Sequence, residues 1–335
     1  MGCVAPAGNG EGQLVDSSTG KWLRRLIVAL AAVVVLYFAG ATVGATLLLN
    51  HLTVPGTVDW SGANNPNPPT DPVELGYRGD PGAAFGLSFE TVNYTTPLGP
   101  AEAWLVPGTR TDAPWAIYVH GIGGIRENGY KQLTALQQAG LTTLMITYRN
   151  DRGAPTDPRL LYAFGTTEWP DLDAAVSYAL GQGAPSVVIV AESMGGGITG
   201  QFLRHSGQTD RVVALVLDAP ALDLNQVVAA TLSRLHLPFA RELATISLWL
   251  FDHTHGSSLS DADTRAELAR FPGPLFLSHG SSDTLVPVAI SDDLVQQRQG
   301  PTSYLRTDAN HLLSYKQDPA RYRGEMVEFL EAVLP

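Results

Sequence analysis

Ser193 stands in the run Ala191-Glu192-Ser193-Met194-Gly195, directly after the apolar residues 186–190 and directly before Gly196, Gly197 and Ile198. A serine hydroxyl is a poor nucleophile until a neutral imidazole takes its proton during attack. A carboxylate then has to hold that imidazole in the right tautomer and stabilise the cation formed. Both partner types occur further along the chain. Asp283 ends a short loop after Leu275-Phe276-Leu277-Ser278, and His311 follows Asp308-Ala309-Asn310 after the strand-like residues 302–305. The three lie 90 and 28 positions apart (283 − 193 and 311 − 283). A second carboxylate, Asp218, closes the apolar run 212–217 and competes for the role of acid. Together these types point to nucleophilic acyl transfer, whereas a bare Ser-x-Gly read alone is an ordinary turn serine.

Such groups need a frame. Residues 87–95 and 101–106 read as two strands joined through Pro97-Leu98-Gly99-Pro100. Short apolar runs come next at 115–119, 142–148, 186–190, 212–217 and 275–278, with 302–305 as the last strand. Helical patterns fall between and after them, at 130–138, 168–180, 196–204, 288–297 and 319–333. Strands that are apolar on both faces and alternate with helices imply a mostly parallel central sheet covered on both sides, an α/β architecture.

The serine between an apolar strand and a glycine-rich helix start resembles the nucleophile elbow of the α/β-hydrolases. In that turn the residues two before and two after the serine meet closely and must be small. Here they are Ala191 and Gly195, with alanine where the family usually has glycine. The resemblance covers about residues 87–335 and is closest to the lysophospholipase-like and prolyl-oligopeptidase-like branch. It implies that Asp283 is the acid and His311 the base, in the family's chain order. It also places the two oxyanion donors on the backbone N–H groups of Met194 and Ile122, the latter in His120-Gly121-Ile122-Gly123-Gly124. His120 and Gly121 then support that loop, and His120 and His279 are expected to be structural hydrogen-bonders. Residues 221–270 exceed an ordinary connection and hold helix-like apolar stretches at 222–237 and 242–251. They are expected to form a small helical cap that lines an acyl pocket or touches lipid, with Trp249 among the substrate contacts. Glu192 either touches substrate or points to solvent, and the run 149–153 offers polar groups to a substrate. The implied activity is hydrolysis of carboxylic esters through an acyl-enzyme. Peptidase, acyl transfer or a catalytically silent receptor or scaffold on the same fold are the alternatives.

The rest of the chain bounds this reading. Apolar residues make up 44% and charged residues 16%, a globular composition. Net charge is −11. Lys21, Arg24, Arg25, Glu11 and Asp16 precede residue 51, which leaves 18 basic against 30 acidic side chains beyond it, or −12. So acidic a body is a poor partner for nucleic acid. Cys3 is the single cysteine, so no intramolecular disulfide forms. Pro6 breaks the myristoylation pattern that Gly2-Cys3 begins. His253 and His255 lack the companions of a metal site, and neither a metal nor a cofactor is expected. Residues 26–49 are uncharged and almost wholly apolar. As a helix they measure about 36 Å, enough to cross a hydrocarbon core of about 30 Å. Lys21, Arg24 and Arg25 on the near side put residues 1–25 in the cytoplasm and export the remainder of the chain. A single-pass anchor in the cell membrane is expected, then a linker over 50–86 and the catalytic domain over 87–335. A cleaved signal, with Ala39-Gly40-Ala41 as the cleavage site, would instead release a secreted protein. The expected partners are a small-molecule or lipid ester and the membrane. The sequence does not set the oligomeric state.

Overall fold

The structure is a computed structural model that describes residues 1–3, 17–62 and 64–334. Pro6 and most of the amino-terminal tail ahead of the apolar helix lie outside the described residues. The strands are β1 (Glu90–Thr96), β2 (Gly99–Val106), β3 (Trp115–Val119), β4 (Thr143–Ile146), β5 (Val187–Glu192), β6 (Val212–Asp218), β7 (Leu275–Gly280) and β8 (Thr302–Thr307). They form one sheet in the order β1-β2-β4-β3-β5-β6-β7-β8. β1 and β2 are a hairpin, β2 meets β4 antiparallel, and the remaining pairs are parallel. The helices of the first half are α1 (Ser17–Thr53), α2 (Pro81–Phe85), α3 (Tyr130–Gln138), α4 (Trp169–Gly181) and α5 (Met194–His205). Those of the second half are α6 (Leu224–Arg234), α7 (Ala240–His255), α8 (Arg265–Arg270), α9 (Ala289–Gln297), α10 (Ser314–Gln317) and α11 (Pro319–Val333).

The unbroken apolar runs of the parallel strands have their cause in this layering. Successive side chains point to opposite faces, so a strand covered on both sides has no solvent face to mark with polar residues. Ile117, Val119, Ile189, Leu215 and Leu217 enter a core with Leu172 and Val176 of α4 and Ile198 and Phe202 of α5. Their neighbours Tyr118, Val188, Val190 and Val216 enter a second core with Leu133 and Leu136 of α3 and Met326 and Leu330 of α11. Residues 221–270, expected as a cap, hold α6, α7 and the short α8; α6 and α7 pack on each other, whereas α8 packs on α5 and α9. The short helices α2, α8 and α10 have too few residues to carry a periodic signal in the sequence.

α1 divides into two parts. From Gly20 to Leu36 it is exposed all round, and its hydropathy is that of a membrane span. Beyond that, Phe38, Thr42, Ala45, Leu49 and Thr53 recur at three- and four-residue spacing and turn one stripe inward. That stripe packs on α7. The Tyr37 hydroxyl donates to the Pro238 carbonyl at 2.7 Å, and the rings of Phe38 and Phe239 lie 5.5 Å apart. The chain after α1, expected as an extended spacer without packing, is laid on the domain. The N–H of Tyr162 donates to the Thr53 carbonyl, and the Trp60 indole donates to that of Leu52. Trp60 lies against Gly123, Val73 and Tyr77 pack on the second core, and Lys316 pairs with Glu74. These residues have no periodic spacing, which is why no pattern announced the contact.

Just beyond β4, Arg149 is buried and makes a bidentate pair with Asp171 at 2.9 Å and a further bond to Asp157 at 3.1 Å. This corrects the expectation that the segment offers Arg149 to a substrate: the guanidinium ties the loop after β4 to α4. Arg149→Ala leaves the buried Asp171 without its cation and Asp157 with only the more exposed Arg159, and it is predicted to destabilise the folded domain by about 3–5 kcal/mol. Denaturant titration of the solubilised full-length protein measures this.

Candidate active site

The parallel strands bring distant residues to one edge of the sheet. Glu192 pairs with Asp218, Asp218 with Ser278, and Gly280 with Thr307, so β5, β6, β7 and β8 end side by side. Ser193 follows β5 with φ 50° and ψ −119° and opens α5. Its N–H donates to the Asp218 carbonyl, and its carbonyl accepts from Ala221. So sharp a turn presses α5 onto β3. A methyl group on Gly195 would lie 2.4 Å from the Val119 carbonyl oxygen. Ala191 pairs with Val119 and turns its methyl into the core, so the alanine in place of the usual glycine costs no clash.

Above the turn the Ser193 hydroxyl donates to Nε2 of His311 at 3.0 Å, and Nδ1 of His311 donates to Asp283 at 2.6 Å. These partners assign the tautomer that leaves Nε2 free to accept a proton. Asp283 also accepts from the N–H groups of Leu285 and Val286, each at 2.8 Å, and from Nε2 of buried His279 at 3.1 Å. Burial would raise its pKa. The hydrogen bonds from His279 and His311 outweigh that and hold it well below the usual carboxylate range.

No family model matches the sequence, and no curated protein matches it. Solved structures do. An esterase of Pyrococcus furiosus, Pf2001, superposes with a TM-score of 0.60 at 19% identity, over 80% of this chain and 98% of that one. A protein of unknown function from Agrobacterium tumefaciens, provisionally assigned to the α/β-hydrolases, gives 0.51 at 20% identity, over 73% and 99%. A predicted CIB-like hydrolase of Thermoplasma acidophilum gives 0.51 at 15%, over 74% and 100%. The chain has the α/β-hydrolase fold.

On this hydrolase fold the other expected residues sort by environment. Asp218 does not reach His311. It accepts from Ser278 at 2.8 Å and Tyr322 at 3.2 Å, and Lys131 pairs with it at 3.0 Å. Glu192 is a correction, because its side chain faces neither substrate nor solvent. It is buried beneath the turn, 3.2 Å from Lys131 and 3.4 Å from Gln132. Lys131 also donates to the Leu312 carbonyl, beside His311. Burial would lower the pKa of this lysine, but Asp218 and Glu192 outweigh it and keep the cation. Sequence reasoning missed Lys131. Its one signal is a charge four residues from Ala135, on the buried face of a helix.

The loop after β3 lies against the serine: a methyl group on Gly121 would lie 2.9 Å from Ser193 Cβ. Ile122 lines the pocket at Ser193, and Met194 is the first residue of α5, where a helix leaves its N–H groups without internal partners. His120 is buried under Tyr148, with Nε2 2.8 Å from Asp151 and Nδ1 2.8 Å from the Gly121 carbonyl. Two oxygen acceptors suit an imidazolium. Burial opposes the charge, yet Asp151 outweighs it and raises the pKa. The Tyr148 hydroxyl reaches the carbonyls of His120 and Gly121 and completes the clamp on this loop.

An apolar pocket of about 60 Å³ opens at Ser193 among Ile122, Phe164, Leu224, Val228, Leu285 and α1. Trp249 is a second correction, because it does not line this pocket. It is 56% exposed on the outer side of α7, over the ring of His253. His253 and His255 bond to carbonyls of their own helix, and the described residues hold no metal-binding cluster.

The depressed pKa of Asp283 has a stability consequence. A carboxyl lowered on folding stabilises the native state above its unfolded pKa of about 3.9, and that contribution fades as pH falls toward the folded value. The melting temperature of Asp283→Asn, which lacks the carboxylate, should therefore approach that of the wild type as pH drops from about 6 to about 3. A gap that is constant with pH would contradict the arrangement.

Proposed function

We propose that the protein is a serine hydrolase that cleaves carboxylic esters at a membrane surface. The observation that carries this reading is the continuous line from Ser193 through His311 to Asp283, set at the mouth of an apolar pocket. In this reading His311 Nε2 takes the hydroxyl proton as Ser193 Oγ attacks the ester carbonyl. Asp283 stabilises the imidazolium. The N–H groups of Ile122 and Met194 receive the oxyanion, each such donor being worth about 3 kcal/mol of barrier. His311 then gives its proton to the leaving alcohol. Water, deprotonated by the same imidazole, attacks the acyl-enzyme carbonyl and releases the acid and the free serine.

Ester substrates are favoured over peptides by the walls of the pocket, which include no charged side chain to orient a polar chain. The reading keeps α1 as an anchor with the domain outside the cytoplasm. Tyr37 and Phe38 contact the cap from a point before residues 39–41, which speaks for an uncut helix.

Ser193→Ala is expected to leave a folded protein that no longer reacts with a fluorophosphonate probe and has almost no esterase activity. Labelling that persists in this variant would remove Ser193 from its role. Asp283→Asn is expected to lower kcat by about 10⁴, the size of loss that follows when the acid of a serine protease triad is neutralised, and Asp218→Asn far less. The opposite ranking in steady-state ester hydrolysis would move the acid to the end of β6.

A further inference from the structure

The pocket at Ser193 is built in part from the helix that looks like an anchor. Ala45, Leu48, Leu49, Leu52 and Thr53 of α1 line it, opposite Val227, Val228, Thr231 and Leu232 of α6. An anchor that only tethered the domain would need no such fit, because a linker of any composition would serve. The lengths agree with a double role. Residues 20–41 alone measure about 33 Å as a helix, enough for a hydrocarbon core of about 30 Å. The inward stripe starts at half-buried Phe38 and is fully buried from Thr42, where that crossing is complete.

The cap carries its own lipid-facing chemistry at the same level. Leu235 and Phe239 are 59% and 60% exposed, and Phe239 touches Phe38 of α1. Arg234 and Arg241 flank them, both exposed. Apolar side chains bordered by cations match the boundary between acyl chains and anionic headgroups. This patch is continuous with the exposed half of α1 through the contacts of Tyr37 and Phe38 with Pro238 and Phe239.

We infer that α1 is a wall of the acyl-binding pocket and that the substrate is a bilayer-borne amphiphilic ester, whose first acyl carbons fill the roughly 60 Å³ at Ser193 while the rest of the chain runs between α1 and α6 toward the membrane on which the cap rests. The inference builds on the ester-hydrolase reading and specifies its substrate class and the element that selects it. Chain-length selection then belongs to the anchor helix, and pocket changes made there act on long acyl groups above short ones.

The test uses full-length protein in phospholipid vesicles with acetyl, butyryl, octanoyl and palmitoyl esters of one alcohol. Fluorophosphonate labelling of Ser193 serves as the separate check on the underlying reading. Ala45→Trp fills the wall and should lower kcat/KM for octanoyl and palmitoyl esters at least tenfold more than for acetyl. Leu48→Ala widens it and should shift the optimum to a longer chain. Val33→Trp, on the exposed half of α1, should change no ester by more than about twofold, since surface positions away from packed features contribute little. In the wild type, palmitoyl ester embedded in the enzyme's own vesicles should be cleaved at least fivefold faster than the same ester in separate vesicles. An equal loss for every ester in Ala45→Trp, together with an unmoved optimum in Leu48→Ala, would overturn the role of α1. Equal rates from the two vesicle populations would overturn delivery from the bilayer. If Ser193 fails to label in the wild type, the hydrolase reading itself falls, whatever the chain-length profile.

Discussion

The backbone of Ser193 is held at φ 50° and ψ −119°, a conformation that costs a side-chain-bearing residue roughly 1–3 kcal/mol and persists only where neighbours over-determine it. Here they do. The residue's N–H and carbonyl are bonded to Asp218 and Ala221 across the end of β6. The turn that results leaves no room for a side chain at Gly195, against β3, or at Gly121, against Ser193 itself. It also lifts the hydroxyl off the sheet edge toward His311. The strain, the small residues and the placing of the hydroxyl at the pocket are one constraint seen from three sides.

The same edge holds two aspartates, at the ends of neighbouring strands, and their surroundings separate them. Asp283 sits in a loop whose N–H groups and two imidazoles stabilise its charge, and one of those imidazoles touches Ser193. Asp218 points below the edge, where Lys131, Ser278 and Tyr322 absorb it. A buried carboxylate needs a partner, and so does a buried ammonium, so the pairing of Lys131 with Asp218 and Glu192 satisfies three costly groups at once. In doing so it braces Glu192, just before the proposed nucleophile, the end of β6 and the turn after His311.

α1 has two unlike halves. Over its first half the apolar surface is continuous and finds no protein partner, as a lipid-facing span requires. Over its last three turns only one stripe is buried, and that stripe meets the cap and the pocket. Within the fold the second half of the helix is a structural part, and the first half has the length and composition of a membrane span.

The sequence alone determined whatever depends on local pattern and chain order. Two-sided apolar runs announced the sheet, glycines after a strand announced the elbow, and 24 uncharged residues announced the long helix. Ser193, Asp283 and His311 were legible because each follows a recognisable strand, and strand ends gather at one edge. Only tertiary structure decided the contacts between segments with no shared pattern. It set Asp283 rather than Asp218 beside His311, turned Glu192 inward to Lys131 and left Trp249 on the outer side of α7. It also brought α1 to the pocket, 140 to 148 positions before Ser193 in the chain (193 − 53 and 193 − 45). The physical reason is common to these cases. Periodicity reports which face of an element is apolar, whereas the partner of a buried charge or apolar stripe is set by packing across the whole domain.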